Sequence, residues 1–355
     1  MRALRLEAFH DLRVVSIPDP APGPDEVLLE VAATGICGSD VHGFTGANGR
    51  RHPGQVMGHE ASGRIIALGA EVDPALVPLG AGATFSPFVL GPAELARWAG
   101  REQHCPARRL IGTDPGIIGA FAERMVVPAR NLALLPEDVP LHLGALVEPL
   151  AVAMHAVRRG LADLAGGPGD PAQTRVLVLG GGPIGQSVVL ALAASLPGAA
   201  STGRVLISEP DADRRDLCAR LGAEVLDPAR GPILAQLAAR GGPVDLAIDA
   251  VGLSATLADA LGATRPEASI VLVGMGAQEL RLPAYEISTR ERSIRGAYTY
   301  SAAGFAEAAA WAGAQGHSLD PLVSRRIGLD EAPQAFAELA AGGGPAGKIL
   351  VEPGR

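Results

Sequence analysis

The chain has 355 residues, of which 48% are hydrophobic and 19% charged, and its formal net charge is −8. This length exceeds what one ordinary hydrophobic core organises, so we expect two domains. The acidic balance, without any basic run, argues against a nucleic-acid partner and against an acidic membrane as partner. Three scattered cysteines make no disulfide framework, and neither a signal peptide nor a bilayer-spanning run is visible, so we expect a cytoplasmic protein.

Short predicted strands dominate the first part of the chain. Residues 26–34 predict a strand that ends at Gly35, and Ala61–Leu68, which follows Gly58, predicts another. Gly and Pro separate these strands. Residues 86–116 are irregular and rich in Pro, Gly and Arg, which indicates a surface lobe. The pattern predicts an all-β or mixed first domain that extends to about Leu141.

Strands and helices alternate in the middle of the chain. A helical segment and a glycine-rich loop come first, at residues 145–159 and 166–173. The following segments predict a strand at 175–179, a helix at 186–196, a strand at 204–208, a helix at 211–221, and strands at 244–250 and 269–273. This alternation is typical of βαβ units around a parallel sheet.

A glycine motif lies between the first of these strands and its helix. Gly180, Gly182 and Gly185 fit the pattern G-x-G-x-x-G, in which the glycines permit a tight turn, close approach of a pyrophosphate and close helix packing. In a chain with 46 glycines the motif alone is weak, and a simple tight turn is the alternative. Glu209, which ends the next strand, can accept hydrogen bonds from an adenosine ribose and would repel a 2′-phosphate. The combination predicts dinucleotide binding and favours NAD over NADP, although Arg214 offers a positive charge to a phosphate.

Four further residues form a candidate metal site. Cys37 follows a strand end in GICGSDVH, and His59 and Glu60 precede a strand in GHE. Glu148 interrupts the apolar run ALVEPLAVAMHA, where an unpaired buried carboxylate would be costly. A catalytic zinc takes three protein ligands from Cys, His and carboxylate and leaves one position open. Each residue alone has a plainer interpretation, such as a buried apolar thiol or a hydrogen-bonded imidazole.

Seven segments, in this order and spacing, carry a family resemblance. GICGSDVH, GHEASG, VEPLAVAMHA, GGGPIG, SEPDADRR, VLVGMG and GKILVE together resemble the zinc-containing medium-chain dehydrogenase/reductase superfamily, especially its polyol (sorbitol-like), butanediol and threonine dehydrogenase branch. The resemblance implies an α/β fold class with a GroES-like, mostly-β catalytic domain at residues 1–150, completed by residues 297–355. It implies a Rossmann domain with a doubly wound parallel sheet at residues 151–296, and assembly into a homodimer or homotetramer.

The resemblance also assigns roles around one catalytic zinc. Cys37, His59 and Glu148 match zinc ligands, and Glu60 lies next to the metal, where it can exchange with Glu148 or a water. Asp40 matches a residue that orients the histidine ligand.

Ser39 matches the hydroxyl that contacts the substrate oxygen, and His42 matches a relay toward solvent. The implied reaction is zinc-assisted hydride transfer from a secondary alcohol, diol or polyol to NAD, which leaves a ketone. The expected cofactor-binding residues are Gly180, Gly182, Pro183, Ile184, Gly185, Glu209, Arg214, Val273, Gly274, Met275, Ala297, Tyr298 and Thr299.

The chain departs from the family pattern at three places. Many relatives bind a structural zinc with four cysteines in the lobe, but this lobe has only Cys105 beside His104, so we predict no structural zinc. Gly43 replaces an aromatic that polyol enzymes often carry, and Thr299 replaces an arginine, which weakens the case for sorbitol itself.

The ligand set also bears on two alternative functions. A zinc-free, NADPH-dependent quinone or enone reductase of the same superfamily would lack the ligand set that this chain has. A non-catalytic nucleotide-binding relative would not need Cys37, His59 and Ser39 together.

Overall fold

The computed structural model describes residues 1–47, 49–164, 173–196, 198–199 and 202–355. The predicted glycine-rich loop at 166–173 therefore lies outside the described residues, except for Gln173. The chain divides into two compact units. We call Met1–Ala151 with Tyr300–Arg355 the terminal unit, and Val152–Thr299 the central unit.

The elements follow in chain order. The strands are β1 (Arg2–Ala8), β2 (Asp11–Ser16), β3 (Glu26–Gly35), β4 (Ala61–Leu68), β5 (Gly82–Phe85), β6 (Phe88–Val89), β7 (Arg109–Leu110), β8 (Arg124–Pro128), β9 (Leu132–Leu134), β10 (Val176–Leu179), β11 (Val205–Ser208), β12 (Glu224–Leu226), β13 (Val244–Asp249), β14 (Thr264–Leu272), β15 (Ser293–Gly296), β16 (Val323–Ile327) and β17 (Lys348–Val351). The α-helices are α1 (Gly38–Thr45), α2 (Pro92–Arg97), α3 (Val147–Leu164), α4 (Pro183–Ser195), α5 (Ala212–Arg220), α6 (Ile233–Ala238), α7 (Ser254–Ala263), α8 (Ala284–Ser288), α9 (Ala302–Gln315) and α10 (Ala332–Ala340).

The terminal unit is built around the long strand β3. Its sheet has the order β16-β17-β3-β4-β5-β9, and β8 also pairs with β3. Side chains of β3 alternate between the core and the other face, so Val27, Leu29 and Val31 are buried while Glu30 is exposed. Antiparallel pairing of β3 with β4 sets Thr34 opposite Ala61, and pairing with β17 sets Gly35 opposite Leu350. The ends of three strands thereby meet at one place.

The central unit contains a six-stranded parallel sheet with the order β12-β11-β10-β13-β14-β15. All residues of β10 and β11 are buried, as expected for strands covered on both faces. The strand order reverses direction at β10, which is the position where ligands bind in doubly wound sheets. The predicted α/β fold class with a doubly wound parallel sheet is confirmed.

The helix after β10 begins earlier than predicted. It starts at Pro183 instead of Gln186, directly after its N-cap Gly182. Proline is favoured at this first helical position, because its fixed φ suits the helix and its missing N–H would have no helical partner. Within the described ranges, no helix combines the length and the apolar content needed to cross a bilayer.

Candidate active site

Cys37 is positioned by the start of a helix. It is the N-cap residue of α1, directly after the end of β3, and its backbone is extended. The Oδ2 atom of Asp40, in the first turn, accepts a hydrogen bond from the backbone N–H of Cys37 at 3.4 Å. The thiol is half-buried, so the strand end and helix start together hold a partly accessible sulfur.

His59 and Glu60 lie just before β4, the strand that pairs with β3. Gly58 precedes them with a φ of 100°, and a Cβ there would approach the backbone nitrogen of Phe121 to 2.9 Å. Glycine is therefore required at this turn. The backbone N–H of Gly35 donates to the carbonyl of Glu60 at 2.7 Å, which ties the two strand ends together.

Cys37, His59 and Glu60 form one group. Their candidate ligand atoms all lie within 4.8 Å of one another. One thiol, one imidazole and one carboxylate are a donor set that suits zinc, and three protein ligands leave a fourth position for water or substrate.

Asp40 orients the histidine of this group. Its Oδ1 atom lies 3.4 Å from Nδ1 of His59 and accepts a hydrogen bond from Nη2 of Arg51 at 3.1 Å. Both Asp40 and Arg51 are buried. Burial opposes a charge on His59, but Asp40 outweighs burial, and the pKa of the imidazole is raised well above its usual value. With Nδ1 facing Asp40, Nε2 is the nitrogen left for a metal.

The predicted proton-relay residues lie on α1. The hydroxyl of Ser39 is 3.5 Å from Nε2 of His59, which puts it beside the candidate metal position. His42 is exposed one turn further along the same helix. Gly43, the residue after His42, has no room for a side chain, because a Cβ there would lie 2.2 Å from Cγ of Arg51.

Glu148 lies near the group but outside it. It is buried at the start of α3, and its Oε1 atom accepts a hydrogen bond from the hydroxyl of Tyr300 at 2.8 Å. Burial and, next, the charge of Glu60 raise the pKa of Glu148 to about 7. The structure thus unites Glu60, instead of Glu148, with Cys37 and His59, while the role of Glu148 as a ligand stays a prediction.

Three residues of this region were missed by the sequence reasoning. Arg51 and Tyr300 are buried partners of acidic residues, and no local pattern marks them. Lys348, at the start of β17, places Nζ 2.5 Å from Oε2 of Glu60. A signal for it did exist, because Lys348 is the single lysine of the chain.

Hydrogen bonds of Glu102 anchor the lobe at residues 86–116, which is predicted to lack a structural zinc. Cys105 is fully buried. The Oε2 atom of Glu102 accepts a hydrogen bond from the backbone N–H of Ala302 at 3.0 Å, and its Oε1 accepts from Gly100 at 2.8 Å. These bonds tie the lobe to the first residue of α9. The absence of a structural zinc stays a prediction.

The glycine turn of the central unit has the features that phosphate binding needs. Gly180 has a φ of 93°, and a Cβ on Gly185 would lie 1.8 Å from the carbonyl oxygen of Gly180. At Gly182 nothing lies within 4 Å of such a Cβ, so the backbone there is open to a ligand. The α4 N-terminus, which begins at Pro183, supplies the positive end of a helix dipole.

Glu209 is buried against this turn. Its Oε2 atom accepts a hydrogen bond from the backbone N–H of Gly181 at 2.6 Å, and its Oε1 atom accepts one from the backbone N–H of Asp211 at 2.8 Å. The backbone N–H of Arg214 donates to Asp211, which caps α5. A fixed negative charge therefore lies at the end of β11, where an adenosine ribose is expected.

The remaining predicted cofactor residues follow the ends of β14 and β15. The backbone N–H groups of Val273 and Gly274 both donate to the carbonyl of Asp249 at 2.9 Å. The side chain of Asp249, which is fully buried, accepts hydrogen bonds from the backbone N–H groups of Val251 and Gly252. Met275 is 60% exposed. The residues at 297–299 directly follow β15, and Thr299 has a φ of 46°.

Comparisons with known proteins identify the class of protein to which this chain belongs. Residues 23–137 match the model of the alcohol dehydrogenase GroES-like domain, and residues 183–314 match that of the zinc-binding dehydrogenases. The fold and these matches define an oxidoreductase that uses zinc and a nicotinamide dinucleotide.

Individual similar proteins show the branch of the family to which the chain belongs. The chain is 32% identical to sorbitol dehydrogenase of Gallus gallus over 343 residues, which covers 94% of this chain and 92% of that protein. It is similar to the crystal structure of 2R,3R-butanediol dehydrogenase from Bacillus subtilis, with a TM-score of 0.83, 28% identity and 99% of each chain covered. A protein from Sinorhizobium meliloti 1021, described as a zinc-binding dehydrogenase and bound to NADP, gives a TM-score of 0.84 at 29% identity, again over 99% of each chain. The chain belongs to the zinc-containing medium-chain dehydrogenase/reductase superfamily, within its polyol and butanediol branch.

Proposed function

We propose that this protein oxidises a small secondary alcohol, diol or polyol to a ketone and transfers the hydride to NAD. The observation that carries the proposal is the group of Cys37, His59 and Glu60, whose ligand atoms lie within 4.8 Å of one another. The predicted alternatives, a zinc-free reductase and a non-catalytic relative, are not favoured, because neither needs this donor set.

Cys37, His59 and Glu60 would hold the zinc, with Glu148 as the carboxylate that can exchange with Glu60. Zinc in such a site acts as a Lewis acid on a substrate oxygen and makes loss of the alcohol proton possible near neutral pH. Asp40 keeps His59 in the orientation that leaves Nε2 free.

Ser39 and His42 would carry the alcohol proton. The Ser39 hydroxyl, 3.5 Å from Nε2 of His59, is placed to accept the proton at Oγ. His42 on the exposed side of α1 would take the proton on to water.

Glu209 supports the choice of NAD over NADP. Its carboxylate is fixed by two backbone N–H groups, so it cannot swing away from a 2′-phosphate without leaving them unpaired. The Sinorhizobium meliloti protein, which has the same fold, is bound to NADP, so the fold alone does not set the preference. The residues at the end of β11 therefore decide the preference.

The substrate class is inferred from the relatives, which include sorbitol and butanediol dehydrogenases. Gly43 and Thr299 replace side chains expected to hold a sugar alcohol, and Arg51 fills the space next to Gly43. Short secondary alcohols and diols are therefore the first substrates to test. The cytoplasmic location, the homodimer or homotetramer, and the count of one zinc per chain stay predictions.

The test combines metal analysis with a substrate screen. We expect one zinc per chain, ketone formation from secondary alcohols or diols, and a larger kcat/KM with NAD than with NADP. Cys37→Ser should lose both zinc and activity, whereas Cys105→Ser should keep both. Two zincs or none, turnover of primary alcohols alone, or preference for NADP would each overturn the corresponding part of the proposal.

A further inference from the structure

Lys348 is the single lysine among the 30 lysines and arginines of the chain. All other cationic positions, histidines aside, carry arginine. The Lys348 side chain is 5% exposed, so this one lysine is also a buried one. Arginine presents a planar five-donor fork, whereas lysine presents a compact charge on a flexible stem. The site of Lys348 therefore requires a compact charge.

The surroundings of Lys348 explain this requirement. Its Nζ lies 2.5 Å from Oε2 of Glu60, whose side chain is 1% exposed. A Cβ added to Gly35 would lie 2.4 Å from that same Oε2 atom and 2.8 Å from Cε of Lys348. The ion pair therefore fills the space over Gly35, between the ends of β3, β4 and β17. This close fit fixes the ammonium on the carboxylate.

Lys348 forms an ion pair in this position. Its Nζ is within reach of a charge-assisted hydrogen bond to Oε2 of Glu60, and both side chains are buried. The two buried carboxylates of the site thus have different partners. Glu148 is held by the hydroxyl of Tyr300, a neutral donor, and Glu60 by a full positive charge.

We propose that Lys348 is a positioning residue that keeps Glu60 an exchangeable metal ligand, because its ammonium competes with zinc for the Oε2 atom. The inference rests on the proposed zinc site at Cys37, His59 and Glu60. Without the ammonium, zinc would be the nearest counter-charge for a buried carboxylate, and Glu60 would bind it persistently. The fourth position would then open less readily to substrate.

The first experiment measures zinc release from Lys348→Met, which removes the charge and keeps most of the stem. Loss of a partner that orients a metal ligand typically costs roughly 10–100-fold in metal affinity. Lys348 instead competes with the metal for its ligand, so we expect an effect of similar size in the opposite direction, with zinc release to a chelator slowed by about tenfold. The kcat should fall while the KM for NAD stays unchanged. Lys348→Arg keeps the charge in a larger group, so its zinc release should lie between that of the wild type and that of Lys348→Met.

Two further variants separate this effect from general damage. Arg325, on the neighbouring strand β16, forms an exposed ion pair with Glu338 of α10, and zinc release should not change in Arg325→Met. Gly35→Ala leaves both charges but pushes Lys348 and Glu60 apart, so it should slow zinc release in the same direction as Lys348→Met.

A second readout needs no variant. Because the chain has one lysine, incorporation of lysine labelled with ¹³C at Cε gives one NMR signal, and that signal should shift when a chelator removes zinc. An unmoved signal, or unchanged or faster zinc release from folded Lys348→Met, would overturn the role of Lys348 while leaving the zinc site intact. A wild-type protein that binds no zinc would overturn the proposed function as well.

Discussion

Three groups converge on the carboxylate of Asp40. The backbone N–H of Cys37 and the guanidinium of Arg51 donate to it, and the imidazole of His59 lies 3.4 Å away. Two candidate ligands and a buried cation therefore share one anchor. The pKa of Asp40 is lowered, because His59 and Arg51 outweigh the burial that would raise it.

Asp40→Asn should weaken zinc binding. An asparagine keeps the shape but removes the charge that holds His59, so we expect roughly 10–100-fold lower zinc affinity, measured by competition with a chelating dye. The unfolding temperature should also fall, because Arg51 stays buried without its counter-charge. Glu30→Gln, at an exposed position of β3, is the matched control and should change neither quantity. Unchanged zinc affinity in Asp40→Asn would remove the anchoring role.

The three cysteines should differ in reactivity. Cys37 is half-buried, whereas Cys105 and Cys218 are fully buried, and burial and the charge of Glu209 raise the pKa of Cys218 to about 12. Because the thiolate is the reactive form, an alkylating reagent near pH 8 should modify Cys37 alone in the zinc-free native protein. Added zinc should protect Cys37, as peptide mass spectrometry would show. Modification of Cys218 before unfolding, or of Cys37 equally with and without zinc, would contradict this assignment.

The turn between β10 and α4 contains glycines of two kinds. Gly185 has no room for a side chain, because a Cβ would collide with the carbonyl of Gly180. Gly182 has room in the protein and a φ of −71°, which any residue adopts. Gly185 is therefore needed for folding, and Gly182 for binding the ligand.

Alanine at these two positions should have opposite effects. Gly182→Ala should keep the wild-type unfolding temperature and bind NADH at least about tenfold more weakly, because its methyl would meet the pyrophosphate. Gly185→Ala should lower the unfolding temperature, because backbone must move to admit the methyl. Calorimetry and fluorescence titration with NADH measure both. Wild-type NADH affinity in Gly182→Ala would argue against phosphate binding at this turn.

At the scale of the whole molecule, the terminal unit uses both ends of the chain. Strand β17 is entirely buried and pairs with β3 and β16, and Lys348 and Tyr300 belong to the same C-terminal segment. Residues 152–299, in contrast, are continuous and contain a complete parallel sheet.

Fragments should fold accordingly. Residues 152–299 expressed alone should melt cooperatively and bind NADH, because each described strand of that sheet has its partners within the fragment. Residues 1–151 alone should not melt cooperatively, because β17, which pairs with β3, and the counter-charge of Glu60 are missing. Joining residues 300–355 to them through a flexible linker should restore cooperative melting and zinc binding. Circular dichroism against temperature decides between these outcomes, and a cooperative transition for residues 1–151 alone would contradict the dependence on β17.

The family, the α/β class and the strand–turn–helix context of the glycine turn can be predicted from the sequence, which also singles out Glu209, Cys37 and His59. These features depend on local patterns, such as strand–turn–helix periodicity, or on short motifs that keep their order along the chain. The start of α4 lies earlier than the sequence predicts, because the helix period becomes visible only after Pro183, the first residue of the helix.

Only the tertiary structure shows which acidic side chain lies with Cys37 and His59. The sequence favours Glu148 as the third ligand, but the pairing of β3 with β4 brings Glu60 to Cys37, and Tyr300 holds Glu148 beside them. The tertiary structure likewise placed Lys348 on Glu60, although 288 positions separate the two along the chain. Such contacts are fixed by strand register and burial over long sequence distances, and a local pattern of residues carries no record of them.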